Sequence, residues 1–450
     1  MAGAVECLAR SLGGSWIAWS GGDDGRRRRI ATGPGPGYTL RTIGIPPAEA
    51  EDFYHGLANR LIWPLSHGFP ERCRSSARHW RAYVDANRRF AAAVLEERRP
   101  GQGAVWVHDY QLGLVPGFVR QRAPEARIVL FWHIPFPSSD LMRANPWRHE
   151  LLSGLVASDL VAFHRDHDVG NFLDCIEGLR SVRVDRHRSR VRLGARQVEV
   201  RAIPLGVDAA RFDLLARSDA VRSAAAGIRR AAAVEHLALS VERLDYTKGI
   251  IERVRAIELL FLTYPQLKGR ITFVQIAVPS RERISEYGRL RADVEAAVRR
   301  VNDRLGADAW RPIELRLRGL PQDDLVPYYL ASDLMLVTPL KDGMNLVAKE
   351  YVASKPEEDG AVVLSRFAGV AEEFGDAAVV VNPHHPLEVV RGIRQALMTS
   401  PAERRARMRR LRTTVREHDV RWWVNRLIEE MRDSGSDAGP GLVRPDGGVG

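Results

Sequence analysis

Ten short runs rich in Val, Ile and Leu punctuate the chain, and they leave few folds open to it. They are AVWV (104–107), ARIVLFW (126–132), LVAF (160–163), VEVRAIPLGV (198–207), LALSVE (237–242), ITFVQIAV (271–278), IELRLRG (313–319), LMLVTPL (334–340), AVVLS (361–365) and AAVVVNP (377–383). Most have strand length and apolar residues at consecutive positions, the pattern of strands buried on both faces. Amphipathic stretches of helical length separate most of them, such as Ser280–Leu305 and Asn345–Ser354. Strand alternating with helix predicts an α/β fold with parallel sheets. For 450 residues, two such sheets fit better than one. A break is expected near Pro204–Arg211, where a strand ends in PLGVDAAR.

Composition narrows the function classes. Hydrophobic residues at 45% and charged residues at 27% supply material for buried cores, which excludes disorder for most of the chain. The Gly/Pro-rich tail 434–450 is the exception and is expected to be disordered. No run of eighteen apolar residues occurs, so no membrane-spanning helix is expected. The opening MAGAVECLARSLGG lacks the pattern of a signal peptide. Three widely spaced cysteines, Cys7, Cys73 and Cys175, fit neither a disulfide framework nor a zinc site. A reducing, cytoplasmic compartment is expected. The net charge of +11 invites a nucleic-acid reading. Against it, the basic residues are dispersed, and the runs Arg26–Arg29 and Arg404–Arg412 carry no nucleic-acid motif. The second run reads as a solvated helix face. A small acidic substrate accounts for the charge more simply.

Motif residues in doubly wound folds sit just after strands. His108-Asp109, His133-Ile-Pro-Phe-Pro, Arg243-Leu-Asp-Tyr-Thr-Lys248 and Lys341-Asp342-Gly343 all do so. In SVERLDYTKG (240–249), two cations flank a turn and could hold a diphosphate; a salt bridge with Asp245 is the plainer alternative. Only five of the 67 basic residues are lysine, and three of them, Lys248, Lys341 and Lys349, lie in these motifs. In KDGMNLVAKE (341–350), a Gly turn leads into a helix whose first N–H groups suit an anion or sugar. Asp342 could accept from sugar hydroxyls or merely cap the helix. Glu350 could take a ribose diol. Trp63 in LIWP and His133 between Trp132 and Ile134 read as core residues on their own. Asp166-His167-Asp168 suggests a metal pair, but it opens a helical stretch where aspartates commonly cap.

Seven long motifs in order, GGSWIAWSG, FYHGLANRLIWP, WVHDYQL, HIPFP, SVERLDYTKG, VTPLKDGMNLVAKEYV and LSRFAGVAEEFG, carry a resemblance from about Gly13 to about Ile428. The chain resembles the trehalose-6-phosphate synthase family of nucleotide-sugar glycosyltransferases. The resemblance implies a GT-B fold: two facing Rossmann-like doubly wound domains with a catalytic cleft between them. Residues 1–207 would form the acceptor domain and 208–415 the donor domain. Residues 416–433 would form a helix packing back on the first domain. Arg243 and Lys248 would grip the donor diphosphate, Leu346 and Val347 would offer it backbone N–H groups, and Glu350 would hold the ribose. Leu320 would contact the base. Asp342 and His133 would hold the donor glucose, and Asp109 would contact the acceptor near the reacting centre. Tyr54, Trp63 and Arg300 would surround the acceptor sugar phosphate, with Arg300 facing the phosphate. The family uses no metal at Asp166–Asp168 and needs no cofactor beyond the nucleotide-sugar. Transfer with retention is implied, by a front-face path or a double displacement. The implied partners are small-molecule substrates, with neither nucleic acid nor membrane, and a homo-oligomer is left open.

The family also opens with a strand, an Asn-Arg-Leu-Pro-like loop and a Gly-Gly pair ahead of the position of Met1. A longer natural chain is therefore expected, and little transfer without that segment. Two further readings are weighed beside the synthase. One is a relative with another acceptor, such as a glucosylglycerol-phosphate synthase or a pseudo-glycosyltransferase. The other is an inactive, N-terminally truncated paralogue.

Overall fold

The computed structural model describes residues 5–433 apart from 7–8, 11, 22–25, 32–36, 100, 102, 282 and 308. Cys7 and the tail 434–450 lie outside the described residues. Strands β1 (Ser15–Trp19), β2 (Arg27–Ile30) and β3 (Tyr38–Ile43) form a three-stranded sheet in the order β1-β3-β2. β1 runs parallel to β3, and β2 antiparallel. A six-stranded sheet follows from β4 (Val105–His108), β5 (Ile128–Phe131), β6 (Leu160–Phe163), β7 (Val182–Asp185), β8 (Arg190–Leu193) and β9 (Arg196–Ala202). Its order is β4-β5-β6-β9-β8-β7, with the first four strands parallel.

The last sheet comprises β10 (His236–Arg243), β11 (Ile271–Val278), β12 (Ile313–Arg316), β13 (Leu334–Val337), β14 (Ala361–Ser365) and β15 (Val379–Val381). It is wholly parallel in the order β12-β11-β10-β13-β14-β15. Numbered within the sheet this is 3-2-1-4-5-6, the doubly wound order whose crevice opens where the order reverses, between β10 and β13. β5, β6 and β13 are buried along their whole length, as continuous apolar runs covered on both faces require.

The apolar core changes hands across the expected break. Ile203 and Leu205 belong with the first six-stranded sheet, whereas Val207 joins the core beneath the last. The helix Val420–Asp433 returns to the first sheet, burying Trp423, Val424 and Leu427 against Val129, Phe131, Leu160 and Ala162. The two crossing segments lie against each other: Val420 N–H donates to Val207 O at 3.1 Å. A Cβ on Gly206 would sit 2.2 Å from His418 O, so only glycine permits that approach. Lys349, fully buried, donates to Leu205 O at 2.9 Å and pairs with Glu373 at 2.6 Å. It ties the helix behind the Lys341–Glu350 motif to the crossing segment.

Three expectations need correction. The sheet β1–β3 and the hairpin β7–β8 are absent from the apolar runs: β2 is RRRI, β3 mixes polar and apolar residues in YTLRTI, and VRVD and RVRL carry charge at alternate positions. The stretch 280–305 is not one helix, which begins only at Ser285. Asp168 is a tether and not a cap: Arg165 grips both its oxygens at 2.8 and 2.7 Å, and Phe136 N–H donates to it at 2.9 Å. The basic run forms the helix Pro401–Glu417, and its arginines pair with Asp359, Glu403, Glu358, Asp376 and Asp213. No described helix is long and apolar enough to cross a membrane.

Candidate active site

β10 ends at Arg243, and the chain turns through Tyr246–Lys248 into a helix. Asp245 Oδ1 accepts from Thr247 N–H at 3.0 Å and shapes the turn. Gly249 ends it at φ 64°, where a Cβ would meet Thr338 O at 2.6 Å. Beneath the turn lies a buried polar network. Arg253 bonds both oxygens of Glu242, Thr338 Oγ1 at 2.9 Å, Gln275 Oε1 at 2.7 Å and Lys248 O at 3.1 Å. A fully satisfied network in low dielectric rigidifies what it holds, here the backbone that carries Lys248.

Across the crevice, Asp342 follows β13. Lys248 Nζ pairs with its Oδ2 at 2.6 Å, and Asn345 Nδ2 donates to the same oxygen at 3.0 Å. Burial pushes the Asp342 carboxyl up, but Lys248 and Asn345 outweigh it and hold the pKa below the usual value. Lys248 therefore pairs with Asp342 rather than Asp245. Nor does Asp342 cap the helix Leu346–Ala353: Asn345 does, accepting from Ala348 N–H at 3.2 Å. The N–H groups of Leu346 and Val347 precede the first one capped and point off the helix N-terminus. Further in, Glu350 accepts from Tyr329 Oη at 2.8 Å and Gln322 Nε2 at 2.7 Å. Burial raises its pKa. Leu320 is half-buried, two residues before Gln322.

Arg243 stands apart in a protein whose arginines are mostly paired. It has neither hydrogen bond nor ion pair among the described residues, and its guanidinium lies 4.8 Å over the Trp63 ring. Trp63 comes from the first domain, at the end of a wide helical segment Glu51–Ile62 in which Trp63 N–H reaches back to Ala58 O. The same segment carries Tyr54, half-buried against Trp19. Asp109 and His133 complete that wall. Asp109 holds φ 74°, strained for a non-glycine residue, and accepts from His133 N–H at 3.1 Å. Burial pushes the Asp109 pKa up to about 6, against the pull of the Tyr110 and His133 N–H groups and Arg243. The His133 ring is stacked among Phe131, His108, His164 and Trp423, with His108 Nδ1 at 3.1 Å from its Nε2. The walls meet closely at Gly343, where a Cβ would lie 2.9 Å from His133 O.

The family model for glycosyltransferase family 20 matches residues 2–433. The chain belongs to glycosyltransferase family 20. It is 40% identical over 447 residues to the trehalose-6-phosphate synthase of Mycobacterium sp. (strain KMS), covering 97% of this chain and 90% of that one. It is 30% identical to an alpha,alpha-trehalose-phosphate synthase (UDP-forming) from Burkholderia xenovorans solved in complex with glucose-6-phosphate, with a TM-score of 0.90 and 96% of each chain covered. A structure from E. coli bound with UDP-2-fluoro glucose matches with a TM-score of 0.89 at 30% identity, covering 96% and 95%. These likenesses establish the GT-B architecture of a family 20 glycosyltransferase.

One residue of the expected family 20 site is misplaced. Arg300 lies on the helix Ser285–Leu305 with its side chain 59% exposed, and its nearest acid is Glu258 at 3.9 Å. It is not beside Trp63. Arg281 is, with its guanidinium 3.9 Å over the Trp63 ring and its side chain 4% exposed. It pairs with Asp245 at 2.8 Å and donates to Tyr287 Oη at 2.7 Å and Tyr110 Oη at 3.3 Å. Its backbone holds φ 52°, and its buried Nε has no partner. The signal in the sequence is VPSRERIS after β11. A strand end followed by Pro and Ser reads as a loop, and treating Ser280 as helical obscured it.

Proposed function

We propose that this family 20 member is an α,α-trehalose-6-phosphate synthase. It transfers glucose, with retention, from a nucleoside diphosphate glucose (UDP-, GDP- or ADP-glucose) to glucose 6-phosphate. It uses neither metal nor further cofactor, and it acts in the cytoplasm, where free thiols such as Cys73 and Cys175 persist. The observation that carries the reading is a pair of cations at the end of β10: Arg243, whose side chain has no ion pair or hydrogen bond among the described residues, and Lys248, joined to Asp342 ahead of the helix Leu346–Ala353. Cleaving an anomeric C–O bond releases a diphosphate whose growing charge must be met. Two fixed cations and the N–H groups of Leu346 and Val347 meet it without reorganising. Glu350, oriented by Tyr329 and Gln322, takes the ribose, and Leu320 lies toward the base. Asp342 and His133 hold the glucose. Tyr54, Trp63 and Arg281 enclose the acceptor, with Arg281 taking the phosphate in place of Arg300. In the front-face path the departing phosphate oxygen accepts the acceptor's hydroxyl proton.

The test is incubation of the chain with each nucleoside diphosphate glucose and a panel of sugar phosphate acceptors in excess chelator, followed by mass and linkage determination. An α,α-linked hexosyl hexose phosphate is expected, in however small a yield. No such product from any donor, or transfer that returns only with magnesium, would sink the proposal. A pH dependence follows from Asp109. If its carboxylate contacts the acceptor, kcat/KM should fall as pH drops through about 6. Asp109→Asn should abolish that acid limb along with most of the activity. A limb that persists in the variant assigns it to another group.

A further inference from the structure

We infer that His67 is a further substrate-recognising residue of this cleft, whose Nε2 lone pair accepts a hydrogen bond from a hydroxyl of the acceptor sugar. The inference rests on the proposed reading of the cleft as a sugar site. His67 ends the turn Trp63–Ser66 at φ −90°, ψ 4°, a sparsely allowed region that many active-site residues occupy. Its ring lies 4.0 Å from the Trp63 ring, tilted by 32°.

The tautomer follows from its partner. Nδ1 is 2.8 Å from Trp63 O. A carbonyl only accepts, so Nδ1 carries the hydrogen. Burial drives the ring pKa down to about 3, against the Trp63 carbonyl and the nearby carboxylates, so the ring holds one hydrogen and no more. Nε2 is left as a bare lone pair. Among the described residues it meets no donor, yet it is not sealed in like the unpartnered His108 Nε2 and His133 Nδ1. The side-chain charges that bear on the ring are Asp245, Lys248 and Asp342, which all lie at the ends of β10 and β13.

A neutral, acceptor-only nitrogen suits one ligand chemistry. It repels a phosphate and welcomes an O–H. Beside it, the buried Trp63 ring carries the Arg281 guanidinium at 3.9 Å, which sets the nitrogen in the same wall as the proposed phosphate cation. His67 therefore reads a hydroxyl of the same sugar whose phosphate Arg281 faces.

Two experiments on the whole chain test this. The first needs no turnover. Histidine 15N NMR, with His67→Gln to assign the signals, should show His67 as the Nδ1–H tautomer. Its Nε2 signal should shift when glucose 6-phosphate is added. The second is kinetic. His67→Phe keeps a ring against Trp63 and removes the acceptor. It should raise KM for glucose 6-phosphate about tenfold, the scale of one lost hydrogen bond, with kcat and the donor KM little changed. Among monodeoxy glucose 6-phosphates, one that the wild type uses poorly should cost His67→Phe nothing more. His67→Gln, which places an amide oxygen near Nε2, should recover much of the affinity. An Nε2–H or doubly protonated ring overturns the inference. So does an Nε2 signal unmoved by saturating glucose 6-phosphate, or a His67→Phe penalty equal across all analogues. If the wild type transfers no glucose, the proposed function fails, and the tautomer and titration still decide His67.

Discussion

Arg243→Ala is expected to lower turnover roughly a hundred- to a thousandfold and to lower the melting temperature far less than Lys248→Ala does. The two effects separate because of what Arg243 lacks. Its side chain has no ion pair or hydrogen bond among the described residues, only the face of Trp63 at 4.8 Å and the longer-range pull on Asp245 and Asp109. Arg243 is half-buried and Trp63 buried, and a cation–π contact is worth from about 0.5–1 kcal/mol at an exposed site to about 2 kcal/mol when desolvated, so its loss should cost less stability than the loss of a buried ion pair. In the proposed reaction, the charge it supplies to the departing diphosphate has no substitute on β10. Lys248→Ala should behave differently. Lys248 is 2.6 Å from Asp342, both largely buried. Removing one partner of a buried pair strands the other and costs about 3–5 kcal/mol. That variant should lose activity and melt earlier, and Asp342 should titrate higher once its cation is gone. Steady-state kinetics and thermal melts on the two variants check the contrast. Near-normal turnover in Arg243→Ala would remove the diphosphate role. Equal melting temperatures for the two would show that the Lys248–Asp342 pair contributes little to stability.

The parts of this site that were legible in the sequence are those fixed by strand ends. A parallel strand buried on both faces is a continuous apolar run, and the residue after it is delivered to the crevice. Arg243 follows LALSVE, Asp342 follows LMLVTPL and Asp109 follows AVWVH by that rule. Three kinds of residue escaped. Strands broken by charge, as in β2 (RRRI) and the β7–β8 hairpin, carry no apolar run to find. His67 lies four residues beyond Trp63 with no pattern of its own. Its role depends on a bond to the Trp63 carbonyl, which composition does not signal. Arg253 sits on an ordinary amphipathic helix, and only the tertiary fold reveals that it braces Lys248. The Arg300 role rests on the family resemblance alone, and no pattern in the residues separates Arg300 from Arg281, whose left-handed backbone leaves no sign in its side chain.

Arg281→Ala and Arg300→Ala should therefore diverge sharply. Arg300 is exposed, and its acid lies at the limit of an ion pair, so its removal should leave both KM values and stability within error. Arg281→Ala should raise KM for glucose 6-phosphate by about two orders of magnitude, since hydrogen bonds to charged groups are worth about 1.5–3 kcal/mol. It should also destabilise the fold, because Asp245 is fully buried and would lose its cation. Acid denaturation separates that structural cost from the binding role. Burial alone would raise the Asp245 pKa, but Arg281 and Arg243 overcome it and hold it at about 2. A carboxyl depressed on folding stabilises the native state at pH values above its unfolded pKa, near 4. That contribution, about 2 kcal/mol, fades as pH falls from about 4 toward 2. In Arg281→Ala the depression is lost, so the gap in stability between wild type and variant should be widest at neutral pH and narrow below pH 4. Denaturant titrations at pH 7 and pH 3.5 measure it. A gap independent of pH would mean that Arg281 acts through packing on Trp63 and Tyr287. An unchanged KM for glucose 6-phosphate would return the phosphate to another cation.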